Sequence, residues 1–239
     1  MSARLLALDS STEQLAVGVA AGAREWTRVV PGGAHASQHI IGLAMQGLDA
    51  CGIRVQQLDA IAFGVGPGAF TGLRCACAVA QGLAFGTAKP VLAIDSLMIV
   101  AESARAALPP GVDELWVAMD ARMDELYAAR YRVDGERWQV LNTPALYALP
   151  ALCARWREQP ARAVAGNAGQ AFGERLPLLG AAPLPTGDRA HALLTLAQHA
   201  HADGAAMDPE RASPLYLRDK VAWTIAERAA RHDARAPRS

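Results

Sequence analysis

One order of predicted strands and helices occurs twice along this chain of 239 residues. Hydrophobic spacing predicts, for the first copy, strands 4–9, 14–21 and 24–30, helix 37–51, strand 58–65, helix 71–86, strand 89–94 and helix 96–107. The second copy is predicted as strands 114–119, 125–133 and 137–141, helix 150–158 and strand 162–165. Each copy opens with an apolar strand that ends in an aspartate, Asp9 or Asp120. The repeat predicts an α/β fold of duplicated βββαβα units, in which helices pack on mixed sheets.

The breaker Leu108-Pro109-Pro110-Gly111 separates the two copies. It divides the chain into a predicted N-terminal lobe, residues 1–108, and a predicted C-terminal lobe, residues 109–226. A later helix is predicted over 189–202, and the end of the second lobe is expected to pack back on the first. The Arg- and Ala-rich residues 227–239 are expected to form a disordered tail.

Charge balance limits the classes of function that are open to the chain. It has 23 basic and 23 acidic residues, which argues against a protein that grips nucleic acid by itself. Hydrophobic residues make up 52% and charged residues 19%, so a sizeable core is expected. No segment resembles a membrane span or a signal peptide, so we expect a cytoplasmic protein with no membrane partner. The four cysteines lack Cys-x-x-Cys spacing and are predicted to be reduced core residues.

A glycine-rich segment, Gly64 to Arg74, joins a predicted strand to a predicted helix. Glycines here would let a phosphate, or another backbone, approach the free amides of a helix N-terminus. A tight turn with Thr71 as the helix N-cap explains the segment equally well. The segment lacks the Gly-Lys-Ser/Thr ending of a Walker A loop and matches a dinucleotide-binding fingerprint only loosely. A phosphate-binding loop and a plain turn both stay open.

The aspartates that end the two opening strands, Asp9 and Asp120, are each followed by polar residues. In two-lobed phosphotransferase-like folds, such loops face each other across a cleft and hold phosphates and a metal ion. The simpler interpretation is that each aspartate stabilises its own turn. His35 and His39 could share one helix face, but no third ligand is nearby, so no metal site is predicted.

The predicted helices 37–51 and 71–86 carry very little charge. Asp49 is the only charged residue of the first, and residues 75–88 contain none. A helix that is apolar on all sides must be covered on all sides. We favour a protein–protein interface, and the alternative is a core helix covered by the second lobe.

Four segments together resemble the TsaB family, the dimerisation subunits of the bacterial tRNA threonylcarbamoyladenosine complex within the glycoprotease-like proteins. The segments are Leu5-Leu6-Ala7-Leu8-Asp9-Ser10-Ser11-Thr12, Gly66-Pro67-Gly68-Ala69-Phe70-Thr71-Gly72-Leu73-Arg74, Asp120-Ala121-Arg122-Met123-Asp124-Glu125-Leu126-Tyr127 and Pro214-Leu215-Tyr216-Leu217-Arg218. The resemblance implies a two-lobed actin/hexokinase-like (ASKHA) fold, in agreement with the duplication. The sequence departs from the family pattern at Ala69, where Ser is usual, and at Gly42, where Pro is frequent.

The resemblance also implies a function. A subunit of this kind pairs with a catalytic paralogue, TsaD, and an ATPase, TsaE, to modify the adenosine next to the anticodon in tRNAs that read codons beginning with A. Its contact with tRNA is then indirect. Ser96 and Val100 stand where the paralogue has two metal-binding histidines, which implies a non-catalytic chain without a cofactor. The alternative is a glycoprotease-like metallopeptidase or a nucleotide hydrolase that acts in the inter-lobe cleft.

Two sets of candidate site residues follow from these arguments. The first set is the predicted partner interface, through which the isolated chain is also expected to form a homodimer: Ile40, Ile41, Ala44, Met45, Leu48, Ala76, Ala80, Leu83 and Ala84. The second set is a vestigial nucleotide cleft: Asp9, Ser11, Thr12, Gly66, Gly68, Thr71, Asp120 and Arg122.

Overall fold

The strands of the first copy form one mixed sheet. The computed structural model describes residues 3–218, and its first sheet has the strand order β3-β2-β1-β4-β5. The strands are β1 (Leu5–Asp9), β2 (Gln14–Ala21), β3 (Arg24–Pro31), β4 (Ala60–Gly66) and β5 (Val91–Asp95). The first three strands pair antiparallel, whereas β1, β4 and β5 pair parallel. All of β1 is buried, because it lies at the centre of a sheet that is covered on both faces.

Two helices cover one face of this sheet. They are α1 (Ala36–Cys51), between β3 and β4, and α2 (Phe70–Thr87), between β4 and β5. Their inward side chains recur at helical spacing and pack with Leu6, Leu8 and Phe63 of the sheet. Gly52 ends α1 in the left-handed conformation.

The second copy forms a second sheet with the same plan. Its order is β8-β7-β6-β9-β10, which matches β3-β2-β1-β4-β5 strand for strand, with the same parallel and antiparallel pairings. The strands are β6 (Glu114–Asp120), β7 (Glu125–Asp134), β8 (Arg137–Ala148), β9 (Ala163–Ala165) and β10 (Ala182–Leu184). The helices α4 (Leu149–Glu158) and α5 (Ala168–Phe172) cover one face. The predicted duplication and the two-lobed actin/hexokinase-like α/β fold are confirmed.

The last helix of each copy packs on the sheet of the other copy. Helix α3 (Ser96–Ala104) follows β5 but packs on β6 and β7, where Leu97 and Val100 join Leu115 and Val117 in one core cluster. Helix α6 (Arg189–Ala202) follows β10 but packs on β1 and β2 of the first sheet. The two helices also contact each other. Each lobe is therefore completed by a helix from the other half of the chain.

A partly buried hydrogen bond also connects the two sheets. The Tyr131 hydroxyl on β7 donates to Asp95 Oδ2 at the end of β5, over 2.6 Å. The other carboxylate oxygen, Oδ1, caps α3 by accepting from the backbone amides of Leu97 and Met98. Burial raises the pKa of Asp95, and burial together with the nearby carboxylate raises the pKa of Tyr131.

Several predicted element boundaries were wrong. Strand β8 continues to Ala148 instead of ending at residue 141, because it is an edge strand, where the missing N–H of Pro144 is tolerated. Helix α3 ends at Ala104 and gives way to a 3-10 turn. Helix α5 and strand β10 were not predicted, because at five and three residues they are too short to show a hydrophobic period.

The predicted lobe limits, 1–108 and 109–226, stay a prediction. The predicted disordered tail, residues 227–239, lies outside the described residues. Among residues 3–218, none of the helices combines the length and the apolar character that a membrane span requires.

Candidate functional site

A cleft lies between the two lobes and contains a cavity of about 260 Å³. The first lobe contributes the β1–β2 turn, the start of α2 and one face of α3 to its lining. The second lobe contributes the β6–β7 turn and Asn167, and residues 215–218 close the remaining side. Both loops that follow the opening strands therefore reach the cleft.

The carboxylate of Asp9 at the end of β1 is fully buried and already paired. The guanidinium of Arg189, at the start of α6, lies 2.5 Å from Asp9 Oδ2 and is itself only 6% exposed. Asp9 Oδ2 also accepts from the Ser11 hydroxyl, and Asp9 Oδ1 accepts from the Ser11 amide and the Ser96 hydroxyl. Both oxygens are engaged with groups of the chain itself. Asp9 is not among the residues that line the cavity.

The first residue of α3, Ser96, is held in the same buried network. Its hydroxyl oxygen accepts from the amide of Gly66 over 3.0 Å while the hydroxyl lies 3.4 Å from Asp9 Oδ1. Val100, one turn further along α3, is buried. These are the two positions at which the resemblance places metal-binding histidines in the catalytic paralogue. A serine hydroxyl and a valine side chain do not supply the imidazole nitrogens of such a site.

Two glycines of the segment Gly64 to Arg74, Gly68 and Gly72, face another part of the backbone. A Cβ on Gly68 would overlap the Ser11 carbonyl oxygen, and a Cβ on Gly72 would overlap that of Ser10. The β1–β2 turn is bonded to this segment, since the Ser10 hydroxyl donates to the Gly72 carbonyl and the Ala69 amide donates to the Ser11 carbonyl. Of the two functions considered for these glycines, the structure supports close packing of two backbone segments.

The predicted role of Thr71 was wrong. Helix α2 begins at Phe70, Ala69 occupies the N-cap position, and no side chain caps the helix. Thr71 is exposed and does not line the cavity. The cause is local geometry. The Ala69 amide donates a hydrogen bond to the Ser11 carbonyl, which fixes Ala69 as the residue before the helix, so α2 already begins at Phe70 and Thr71 lies inside its first turn.

We expect Gly72→Ala to lower the free energy of unfolding by about 1–3 kcal/mol, the cost of overpacking a close contact. The added methyl group would displace the Ser10 carbonyl, which is fixed backbone. Gly82→Ala on the same helix is the matched control, because a Cβ there meets nothing within 4 Å. Denaturant unfolding measures both changes. An unchanged midpoint for Gly72→Ala would contradict the packing role of this glycine.

On the second lobe, the β6–β7 turn supplies Asp120 and Arg122. Asp120 accepts from the Arg122 amide over 2.8 Å, and its own amide donates to the side-chain oxygen of Asn167. The Arg122 guanidinium reaches across the cleft to Glu13 Oε1 over 3.2 Å. Since both of these side chains are largely exposed, the ion pair between the lobes adds little stability.

The structure brings together five of the eight predicted cleft residues. Ser11, Thr12, Gly68, Asp120 and Arg122 line the cavity, and Asp9, Gly66 and Thr71 do not. The lining residues outside the predicted set include Asn167, Tyr127, residues 215–218 and, on α3, Ser96, Leu97 and Val100. Tyr127 and residues 215–218 belong to segments that carry the family resemblance. The partner of Asp9, Arg189, was also missed, because no local pattern connects two residues 180 positions apart.

The predicted partner interface needs correction at the level of its residues. Six of its nine side chains are buried in the core between the helices and the first sheet: Ile40, Ala44, Leu48, Ala76, Ala80 and Ala84. They lie on the inward faces of α1 and α2, because one face of each amphipathic helix must cover the sheet. Ile41 is 53% exposed, and Met45 and Leu83 are partly buried. That a partner binds these helices stays a prediction.

Part of the solvent-facing side of the two helices is nevertheless apolar, although α1 also exposes Gln38, Gln46 and Asp49. We call it the outer α1–α2 surface and define it by Ile41, Met45, Ala78, Gly82, Leu83 and Phe85. Phe85 is 55% exposed and, with Ile41, is among the most exposed large apolar side chains in residues 3–218. Large exposed apolar side chains that share an uncharged helix face are typical of an interaction surface.

The histidines and cysteines are the remaining candidates for metal binding or thiol chemistry. No group of three or more His, Cys, Asp or Glu side chains that could hold a metal ion occurs within residues 3–218. His35 and His39 are both exposed. All four cysteines are free thiols, and burial raises the pKa of Cys51, Cys75 and Cys77.

The sequence is similar to proteins of tRNA threonylcarbamoyladenosine biosynthesis. A family model described as TsaD, tRNA N6-adenosine threonylcarbamoyltransferase, matches residues 29–235. The chain is 31% identical over 234 residues to the tRNA threonylcarbamoyladenosine biosynthesis protein TsaB of Escherichia coli strain K12, covering 92% of this chain and 96% of that protein. The protein of the same name from Haemophilus influenzae is 38% identical over 124 residues, 52% of this chain and 51% of that protein.

A solved structure agrees with the sequence relatives. YeaZ from Pseudomonas aeruginosa is 35% identical and superimposes with a TM-score of 0.78, covering 90% of this chain and all of that chain. Fold, sequence identity and coverage together show that this chain belongs to the family of tRNA threonylcarbamoyladenosine biosynthesis proteins called TsaB.

Proposed function

We propose that this chain is a non-catalytic subunit in the cytoplasmic biosynthesis of tRNA threonylcarbamoyladenosine. The observation that carries the non-catalytic role is the buried Asp9–Arg189 pair. A carboxylate at this position could serve a metal ion or a phosphate only if an oxygen were free, and both oxygens are occupied by groups of the chain. The guanidinium supplies the positive charge that a metal ion would otherwise supply.

The proposed role is to pair with the catalytic paralogue, TsaD, which also acts with the ATPase TsaE. The outer α1–α2 surface is the proposed contact, and the isolated chain would form a homodimer through the same surface. Support comes from the exposure of Ile41 and Phe85 on helices that carry little charge. Contact with tRNA is proposed to run through the partner, in keeping with a net charge of zero.

The test is depletion of the protein in cells, followed by mass spectrometry of tRNA nucleosides. We expect threonylcarbamoyladenosine to fall, and an unchanged level would overturn the proposed pathway. Re-expression of the Asp120→Asn variant should restore the modification, because the proposed role needs no acid in the cleft. Stoichiometric bound metal, or peptide or nucleotide hydrolysis by the purified chain alone, would instead favour the metallopeptidase or nucleotide hydrolase alternative.

A further inference from the structure

The segment after α6 returns along the first lobe before it enters the cleft. Met207 pairs with Val91 through two backbone hydrogen bonds of 2.9 Å, and the Gln81 side chain on α2 donates to the carbonyls of Pro209 and Ala212. Ala212 is buried in the core beneath α1 and α2. We call residues 207–218 the strap. Its first half is fixed to α2 and β5, so its second half enters the cleft from a defined position.

At the cleft, the strap is anchored to the first lobe by Leu215 and Tyr216. The Leu215 amide donates to the Val65 carbonyl near the end of β4 over 2.7 Å. The Tyr216 ring lies 5.2 Å from the Phe70 ring in the first turn of α2. The Arg74 guanidinium stacks on Phe70, 3.8 Å from the ring centre, and Arg74 Nε donates to the Tyr216 hydroxyl over 2.9 Å.

Two residues later, the strap is anchored to the second lobe by Arg218. Its guanidinium Nη2 lies 2.5 Å from Glu125 Oε2 and donates to the carbonyl of Arg122 over 3.2 Å. It therefore bonds both ends of the β6–β7 turn. Residues 122–124 of this turn all have φ between 60° and 65°, the left-handed region that non-glycine residues rarely adopt. Such a turn persists only where its surroundings hold it, and Arg218 supplies part of that support.

We propose that the strap is a tie across the cleft, which couples the first turn of α2 to the β6–β7 turn and forms one wall of the cavity. Its anchors on the two lobes are two residues apart, so the segment between them cannot shift on one side without affecting the other. Residues 215–218 also line the cavity.

The lobes are also joined on the side away from the strap. Arg105, just after α3, donates to the carbonyls of Gly135 and Glu136 at the tip of the β7–β8 hairpin, and its guanidinium stacks on Trp138. With this contact intact, loss of the strap loosens the cleft side without separating the lobes. The expected effect is therefore local, and hydrogen exchange measures it.

The experiment is amide hydrogen exchange on the full-length protein with Tyr216→Ala and, separately, Arg218→Gln. Tyr216→Ala cuts the anchor on the first lobe, and we expect it to speed exchange on the second lobe, at the Ala121 and Glu125 amides that close the β6–β7 turn. Arg218→Gln cuts the other anchor and should speed exchange of the Leu73 amide in α2. The expected acceleration is on the order of twofold to tenfold, the range that loss of one aromatic pair produces.

Arg4→Ala is the control, because it breaks an ion pair with Asp59 that lies within the first lobe. It should leave exchange at both anchors unchanged. If each strap variant speeds exchange only on the lobe that it touches directly, the two anchors are independent and the proposal is overturned. The readout involves neither tRNA nor a partner protein, so its outcome is independent of the proposed function.

Discussion

Arg189→Leu is expected to lower the free energy of unfolding by about 3–5 kcal/mol, the usual cost of removing one partner of a buried ion pair. The Asp9 carboxylate would stay fully buried, with only hydroxyl and amide donors and no positive charge. Denaturant unfolding at neutral pH measures the change. The effect is large because Asp9 cannot reach water unless β1, the central strand of the first sheet, moves.

Two further variants show whether the charge itself is responsible. Asp9→Asn combined with Arg189→Leu removes both charges and should recover much of the lost stability, so the two substitutions are expected to be strongly non-additive. Arg4→Leu breaks the part-exposed pair with Asp59 and should cost about 1 kcal/mol or less. If Arg189→Leu lowers the free energy of unfolding by no more than Arg4→Leu does, the Asp9–Arg189 ion pair does not stabilise the fold as argued.

Phe85→Glu and Ile41→Glu are each expected to weaken assembly with the catalytic paralogue and to weaken homodimer formation. A charge placed at the centre of an apolar interface should cost at least about 2 kcal/mol of binding, roughly a 30-fold loss of affinity. Both side chains are more than half exposed, so the fold should be unaffected. Titration calorimetry measures the first effect, and sedimentation velocity of the isolated chain measures the second.

Val140→Glu is the matched control for these variants. Val140 is 42% exposed but lies on the edge strand of the second lobe, away from α1 and α2. It should leave assembly unchanged. Ala80→Arg is not a suitable probe, because Ala80 is fully buried against the first sheet and an arginine there tests folding. Normal binding by both glutamate variants would move the partner site off the outer α1–α2 surface.

The sequence predicted the special character of α1 and α2 but not which of their residues are exposed. The low charge of α1 and α2 identified them as unusual, but it did not separate the side that covers the sheet from the side that faces solvent. On a helix rich in alanine and glycine, both sides have similar hydrophobicity, so the amphipathic pattern that would tell them apart is weak. Ala80 and Ala84 were therefore assigned to the surface, whereas the exposed Phe85 was not considered.

The glycine-rich segment shows the same limit at the cleft. Its glycines indicated that something approaches the backbone between β4 and α2, and the structure confirms this. Composition alone did not say whether a ligand or the protein itself approaches. In the structure it is the β1–β2 turn that approaches these glycines, and its residues Ser10 and Ser11 lie about 60 residues away in sequence.

By itself, the sequence determined the two copies of one strand and helix order, and hence the two-sheet plan, because hydrophobic period and turn residues are local properties of a chain. Only the tertiary structure decided that α3 and α6 exchange lobes, that Arg189 neutralises Asp9, and that residues 215–218 close the cleft. These contacts join residues that are far apart in sequence. Their energies come from packing and from compensation of buried charge, which no local pattern records.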